Sequence, residues 1–303
     1  MTDNVFLFGA GASIGSDSTN VPPIGSSLFT KLQKFNPPGW GNLSPDIGAE
    51  FNNDFEMGMR ILAQRNSFAM PILQRAMAAY FFNFLPKPSN LYMKLGTLIR
   101  RVDWDGALAT INYERLLELS LIKTGNYPFV GEISPRENMV ELCIPHGCCH
   151  IFCESVRAGA PGVSISGVGV TTDGPVKVIT NPQEFQTRIN GDAFPPVMSY
   201  FQPDKGTTSG RSFIINQRKR WEELALGAKV IGIIGVRVRP SDAHIWEPIK
   251  KSKARIVYCA GKEGGQEYYQ WKSEVRPHSE DRIILEYFRE SFDALCEELD
   301  LKS

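Results

Sequence analysis

The sequence predicts an α/β fold in which a Rossmann-like parallel sheet is flanked by helices. Three observations favour it. Short, wholly apolar runs suit strands that are buried on both faces. Each run ends at glycine or polar residues and is followed by helical spacing. These strand and helix patterns alternate at both ends of the chain, which is typical of a parallel sheet. We therefore expect one domain over residues 1–303, with a helical insertion at about 40–100 and a mixed, β-rich insertion at about 150–205.

Composition and charge favour a globular domain and argue against a nucleic-acid-binding or membrane protein. The 303 residues are 42% hydrophobic and 22% charged, as in ordinary globular domains. Thirty-three basic and 33 acidic residues cancel, so no net field favours nucleic acid. The sequence has no apolar stretch of membrane-spanning length and no basic-then-apolar leader pattern. We expect a cytoplasmic protein that binds neither nucleic acid nor membrane.

The first element is a buried strand at residues 5–8 that runs into a glycine turn. Gly9 and Gly11 let the backbone bend tightly and approach a pyrophosphate at a helix N-terminus, where Ala10 and Ser13 also lie. The third glycine, Gly15, comes one residue later than the dehydrogenase fingerprint requires. No acidic residue follows between Asp17 and Asp46 to bind a ribose. A nucleotide site and a simple tight strand-to-helix connection both fit this turn.

Helical patterns occupy the next part of the chain. Apolar residues recur at three- and four-residue spacing over 51–85, with a break near Pro71, and again over 89–101. A proline-containing stretch precedes them and includes Gly25; it either folds over a ligand or forms a surface loop.

Polar residues follow two further predicted strands. The strand at 106–111, which includes Thr110, leads into Asn112 and Glu114, and the strand at 140–145 leads into His146. Open parallel sheets bind ligands beyond the carboxyl ends of their strands. We therefore expect these side chains at the functional edge of the sheet.

The remaining elements complete the alternation. Residues 158–180 suggest hairpins, and residues 212–228 a helix. An apolar strand at 229–235 ends in Gly235, and Asp242 leads into a short helix. A strand at 254–259 and a final helix at 283–299 follow.

Four of the six cysteines lie within eleven residues. Cys149 and Cys153, with His146 and His150 nearby, have the types of side chain that bind zinc, but a second distant pair is missing. Reduced, buried thiols, including Cys148, are the preferred interpretation, and we expect no metal.

Three separated segments resemble one family. Residues 9–13 resemble the Gly-Ala-Gly-x-Ser opening of the SIR2, or sirtuin-like, superfamily. Residues 110–114 look like its Thr-x-Asn-Tyr-Asp segment, and residues 145–147 like its His-Gly. The region from Gly235 to Asp242 resembles the family's second glycine turn near the ribose.

The resemblance implies a site for NAD. Asn112 would hold the ribose or the attacking water, and His146 would act as a general base. Glu114 stands where the family has aspartate, and either it or Asp242 would bind ribose or orient a neighbour. The remaining implied ligand-binding residues are Gly9, Ala10, Gly11, Ser13, Gly25, Thr110 and Gly235. For the two acids, a plain electrostatic role at a helix N-terminus is an open alternative.

The sequence departs from the deacylase branch because no second Cys-x-x-Cys follows His146. Without that motif, the sequence resembles the bacterial SIR2-like effectors of antiphage defence, which hydrolyse NAD. We expect an NAD⁺ glycohydrolase that is held inactive by oligomerisation or by a separate regulatory protein until triggered. A sensor that binds NAD without cleaving it is the first alternative, a deacylase the second and a dehydrogenase the third. The aromatic group Tyr268, Tyr269 and Trp271 would serve a partner contact or pack in the core.

Overall fold

A computed structural model describes residues 2–102, 104–131, 137–154, 163–166, 169–199 and 207–301. The chain forms two compact units. The sheet unit comprises residues 1–22, 85–145 and 216–303, and the helix-rich unit comprises residues 23–84 and 146–215.

The described residues form eleven strands. In chain order they are β1 (Asn4–Phe8), β2 (Ala107–Thr110), β3 (Tyr127–Phe129), β4 (Met139–Cys143), β5 (Ile151–Cys153), β6 (Val163–Ser166), β7 (Gly169–Thr172), β8 (Val176–Val178), β9 (Val230–Ile234), β10 (Arg255–Cys259) and β11 (Arg282–Ile284).

The same residues form twelve α-helices and two short 3₁₀ segments. The helices are α1 (Ala10–Gly15), α2 (Gly25–Phe35), α3 (Pro45–Asn53), α4 (Phe55–Arg65), α5 (Ala69–Phe82), α6 (Leu91–Val102), α7 (Leu116–Lys123), α8 (Pro182–Gly191), α9 (Arg211–Gly227), α10 (Ala243–Lys251), α11 (Gly261–Val275) and α12 (Phe288–Glu298). The 3₁₀ segments are Trp40–Asn42 and Pro240–Asp242.

The sheet unit contains a seven-stranded sheet in the order β11-β10-β9-β1-β2-β4-β3, and its strand pairings are parallel. Helices flank this sheet, so the predicted α/β class with a Rossmann-like parallel sheet is confirmed. Every residue of β1 is buried, as expected for an apolar run covered on both faces. The chain leaves β1 for β2 on one side and returns to β9 on the other. This reversal is the point at which open α/β sheets bind ligands.

The helix-rich unit confirms the helices predicted over 51–85, which are α4 and α5 together with the end of α3. Its core is aromatic: the Phe29 and Phe51 rings stack at 4.8 Å, and the Trp40 ring meets Phe51 edge-on at 5.4 Å. The unit also contains two antiparallel strand pairs, β5 with β8 and β6 with β7. The second pair confirms a hairpin within 158–180. Of that predicted stretch, residues 158–162, 167 and 168 lie outside the described residues.

One prediction near the C-terminus was wrong, and the open alternative for Tyr268 is resolved in favour of core packing. Residues 282–284 begin no helix; they form the edge strand β11 beside β10, and the helix starts only at Phe288. The isoleucines of this segment fit a helical period, but pairing with β10 satisfies their backbone. Tyr268 is fully buried and stacks on Tyr258 at 4.1 Å, so its ring is core and offers no partner contact. Tyr269, in contrast, is 66% exposed.

Within the described part of the chain, no helix combines the length and the apolar character needed to cross a bilayer.

Candidate functional site

Parallel pairing brings the ends of three strands to one edge of the sheet. Phe8 at the end of β1 stands beside Thr110 of β2 and Ile234 of β9. The residues that follow are Gly9, Asn112 and Gly235, which therefore meet at the carboxyl edge. The sheet unit thus brings together the predicted residues of the first glycine turn, the Asn112 loop and the second glycine turn.

The two glycine turns are packed directly against each other. Gly9 N–H donates to Ile234 O at 2.9 Å, and Gly11 N–H donates to Gly235 O at 3.1 Å. A Cβ added at Gly9 would lie 2.6 Å from Gly235 O. Gly235 has φ +65°, and a side chain there would collide with the backbone of α1. The glycines are thus required by contact between backbones, a reason that the sequence alone did not reveal.

This packing uses most amides of the first turn of α1. Gly9 and Gly11 donate to the β9 turn, while the N–H groups of Ala12 and Ser13 both donate to Gly9 O. Ala10 is exposed, and among the described residues its N–H donates to no carbonyl. Of the predicted pyrophosphate contacts, Ala10 is therefore the residue whose amide is available.

Asn112 is the central polar side chain of this edge and is only 6% exposed. Its Nδ2 donates to Gly9 O at 3.1 Å and to Ser13 Oγ at 2.9 Å, which uses both hydrogens of the amide. These two acceptors hold the nitrogen end of the amide against the protein. No described residue donates to Oδ1, the carbonyl end of the amide.

Ser13 and Glu114 form the base of this network. The Ser13 hydroxyl donates to Glu114 Oε1 at 2.6 Å and lies 3.0 Å from the Tyr92 hydroxyl oxygen. The other carboxylate oxygen accepts a hydrogen bond from the Leu116 N–H at the start of α7. Glu114 therefore joins the Asn112 loop to α1 and to the first turn of α7, where a carboxylate is favoured by the helix dipole.

The electrostatics of Glu114 follow from its burial. Removal from water raises the pKa of Glu114, and the hydrogen bonds from Ser13, Leu116 and Asn112 offset part of that effect. Burial raises the pKa of Tyr92 well above its usual value, and the nearby Glu114 raises it further. Tyr92 therefore remains a protonated donor at physiological pH.

Two other predicted residues lie in the same unit. The Thr110 hydroxyl donates to Phe8 O at 3.3 Å and accepts from Asn112 N–H at 3.1 Å, so it ties the two strand ends together. Asp242 is 5% exposed and precedes α10 without capping it through its side chain. Burial lowers the pKa of Arg218, and the charges of Tyr113 and Asp242 oppose that shift. Asp242 therefore acts on the half-buried Arg218.

His146 and Gly25 belong to the helix-rich unit. His146 is 3% exposed, and its carbonyl accepts from Ser199 N–H at 2.8 Å. Gly147 has φ +72°, which explains the glycine after the histidine. Gly25 begins α2, with open space where a Cβ would stand. The catalytic role of His146 and the ligand contact of Gly25 remain predictions.

The helix-rich unit also contains one group of side chains able to hold a metal. The ligand atoms of Cys148, Cys149 and His150 lie within 4.8 Å of one another, and all three residues are buried. His150 Nδ1 lies 3.2 Å from Cys148 Sγ. Burial raises the pKa of the Cys148 thiol, as expected for a protonated, enclosed cysteine.

Tyr92 is the site residue that the sequence interpretation missed. The spacing over 89–101 predicted this helix without singling out Tyr92, and the buried residues of α6 are Tyr92, Leu95, Gly96 and Ile99. Helical spacing places Tyr92 in line with Leu95 and Ile99, so the periodicity contained the signal for its burial. Its partner Ser13 is 79 positions away, and nothing local indicates that contact.

No family model and no curated protein matches the chain significantly. Similar solved structures include Sir2Tm bound to a propionylated peptide, with 13% identity, a TM-score of 0.48, and coverage of 99% of this chain and 94% of that one. An ADP-ribose complex of a mutant Sir2 homologue has 13% identity and a TM-score of 0.48, covering 98% and 91%. Sir2 bound to an acetylated peptide has 10% identity and a TM-score of 0.47, covering 99% and 94%.

Proposed function

We propose that the protein is an NAD⁺ glycohydrolase, which converts NAD⁺ and water into nicotinamide, ADP-ribose and a proton. The observation that carries this proposal is the Asn112 amide. Its Nδ2 donates to Gly9 O and Ser13 Oγ, and no described residue donates to its Oδ1, which lies at the carboxyl edge of a parallel sheet, where such sheets bind ligands. The sequence resemblance to the SIR2 superfamily adds the identity of the ligand.

The chemistry suits such an amide. Cleavage of the bond between C1′ and the nicotinamide nitrogen leaves positive charge on the ribose, while nicotinamide departs as a neutral molecule with the bonding electrons. The leaving group is already cationic, so it needs no strong acid. An oriented amide oxygen stabilises developing positive charge and accepts a hydrogen bond from water or a ribose hydroxyl. Because the protein has already fixed Asn112, little reorganisation is needed during the reaction.

His146 supplies the remaining function in this proposal. An imidazole titrates near neutral pH and can take the proton that water or a ribose hydroxyl loses. General bases are worth about 10²–10⁴ in rate. In this proposal Gly9, Ala10 and Ser13 line the pyrophosphate, and Glu114 or Asp242 binds ribose or orients a neighbour. The other proposed ligand-binding residues are Gly11, Gly25, Thr110 and Gly235.

We propose that the biological role is depletion of NAD in antiphage defence. Support comes from the resemblance to that branch and from the absence of a second Cys-x-x-Cys after His146 in the sequence. An unrestrained NAD hydrolase would poison its own cell. The resting protein is therefore expected to be inhibited, through a homo-oligomer or a separate regulatory protein.

Release of nicotinamide from NAD, measured by chromatography with and without candidate partner proteins, tests the activity. Asn112→Ala and His146→Ala should each lower the rate per folded molecule by about 10²–10⁴. The matched control is Asn126→Ala. Asn126 is another buried amide of the sheet unit, but it donates only to Gly96 O and Thr124 Oγ1.

The control should keep wild-type turnover per folded molecule. Undiminished cleavage in Asn112→Ala would show that the site is elsewhere. If the wild-type protein binds NAD and releases no nicotinamide under any condition, the sensor alternative replaces the hydrolase.

A further inference from the structure

We propose that Tyr92 is a positioning residue that fixes the orientation of the Asn112 amide through the Ser13 hydroxyl. The inference rests on the proposed function, because it assigns the Asn112 carbonyl oxygen to the reacting ligand. It adds a residue outside the motifs that support the resemblance.

Tyr92 is held rigidly from two sides. Its fully buried ring meets Phe8 edge-on at 5.3 Å and lies 5.7 Å from the Phe288 ring. Its backbone N–H donates to Asn90 Oδ1 at 2.9 Å, and Asn90 in turn donates to Ser16 Oγ at 2.9 Å. The beginning of α6 is thereby fixed to the end of α1, the helix that contains Ser13.

Packing alone does not explain the hydroxyl group. A phenylalanine would fill the same apolar space between Phe8 and Phe288, whereas a buried hydroxyl costs free energy unless it is hydrogen-bonded. The Tyr92 hydroxyl has such a bond, to Ser13 Oγ at 3.0 Å. The polar atom therefore points to a role in the network around Ser13.

Counting hydrogens gives the direction of each bond. Ser13 Oγ has one hydrogen, which goes to Glu114 at 2.6 Å. Its lone pairs must then accept from Tyr92 and from Asn112 Nδ2, at 3.0 and 2.9 Å. Donation by Tyr92 strengthens the Ser13 bond to Glu114, because linked hydrogen bonds polarise one another.

This arrangement selects one orientation of the amide. With its hydrogen held toward Glu114, Ser13 faces Asn112 with a lone pair, which attracts Nδ2 and repels Oδ1. Without the Tyr92 hydroxyl, the Ser13 hydroxyl is less firmly held and can turn its hydrogen toward Asn112. The amide is then free to flip and withdraw its oxygen from the ligand.

The test is a double-mutant cycle of Tyr92→Phe and Ser13→Ala, read as kcat and KM for nicotinamide release. Tyr92→Phe should lower kcat about threefold to tenfold, the effect of one hydrogen bond, with KM within about twofold of wild type. In the Ser13→Ala background, Tyr92→Phe should have no further effect, because its only route to Asn112 is gone. Tyr268→Phe, which removes another buried tyrosine hydroxyl from the same unit, should leave kcat unchanged.

A wild-type kcat in Tyr92→Phe would overturn the proposal. It would also be overturned if the double mutant lost kcat by the product of the two single-mutant factors, because the two residues would then act independently. Failure of the proposed function has a different signature, namely no nicotinamide release by the wild-type protein. In that case ADP-ribose affinity is measured by calorimetry for the same four proteins. Effects of the two substitutions that are not additive in binding free energy support the positioning role, and additive effects contradict it.

Discussion

Two buried polar networks lie at opposite ends of the strands in the sheet unit. They differ in whether every hydrogen-bonding atom has a partner among the described residues. At the carboxyl end, Asn112, Ser13, Glu114 and Tyr92 satisfy one another except for the Asn112 carbonyl oxygen. At the amino end, Arg276 and Asp281 form a network in which both charged groups are fully engaged. Both networks are buried, so the degree of burial does not distinguish one from the other.

The amino-end network is closed. Arg276 Nη1 donates to Ile249 O and Ser252 O, each at 2.6 Å, and Nη2 donates to Ala254 O at 2.6 Å. Asp281 accepts from the Tyr268 hydroxyl and the Ser279 hydroxyl, each at 2.8 Å. Burial raises the pKa of Asp281, but hydrogen bonds led by that from Arg276 outweigh it, so the pKa is lowered overall.

The contrast shows how a structural network can be told from a functional one. In the Arg276 and Asp281 network, the charged groups bond to other groups of the protein. In the network around Asn112, the amide nitrogen is hydrogen-bonded, but no described residue donates to the amide oxygen. In the proposed function this oxygen accepts a hydrogen bond from the ligand.

The largest expected effect comes from breaking the closed network. Asp281→Ala leaves the Arg276 charge without its anionic partner and should lower the free energy of unfolding by about 3–5 kcal/mol. Nicotinamide release per folded molecule should stay unchanged. Urea denaturation followed by tryptophan fluorescence measures the loss.

The matched control for that change is Asp293→Ala. Asp293 pairs with Lys94 at 2.7 Å, but its side chain is 87% exposed, so the loss should stay below about 1 kcal/mol. Equal losses in the two variants would contradict the view that the Asp281 network supports the fold.

A smaller effect concerns two thiols at the carboxyl ends of separate strands of the sheet. Cys143 ends β4 and Cys259 ends β10; both are about 1% exposed, and burial raises the pKa of Cys259 to about 11. The raised pKa means that the reactive thiolate forms only as the pH rises toward that value. At pH 8 its population is about a hundredfold lower than for a thiol with a pKa of 9.0.

Iodoacetamide labelling followed by mass spectrometry checks this expectation. Both cysteines should remain unmodified in the folded protein at pH 8 and react fully in urea. Rapid labelling of the folded protein would contradict this expectation, because it would show that solvent reaches Cys143 or Cys259 at the carboxyl edge of the sheet.

The sequence predicted the elements whose signals are local. The strands that became β1, β2, β9 and β10 are apolar runs, and parallel pairing alone placed Asn112 beside Gly9. The three-residue strands β3 and β11 were missed because their segments are too short to distinguish a strand from a loop or a helix. Tyr92 escaped because its role depends on Ser13, a contact that only the folded chain brings about.

A crystal structure with ADP-ribose tests the central claim most directly. We predict that a ribose hydroxyl, or a water held by the ribose, donates to Asn112 Oδ1, while Nδ2 keeps its bonds to Gly9 O and Ser13 Oγ. The pyrophosphate should lie against Ala10 N–H. ADP-ribose bound away from this edge, or an Asn112 oxygen paired with the protein itself, would contradict the account.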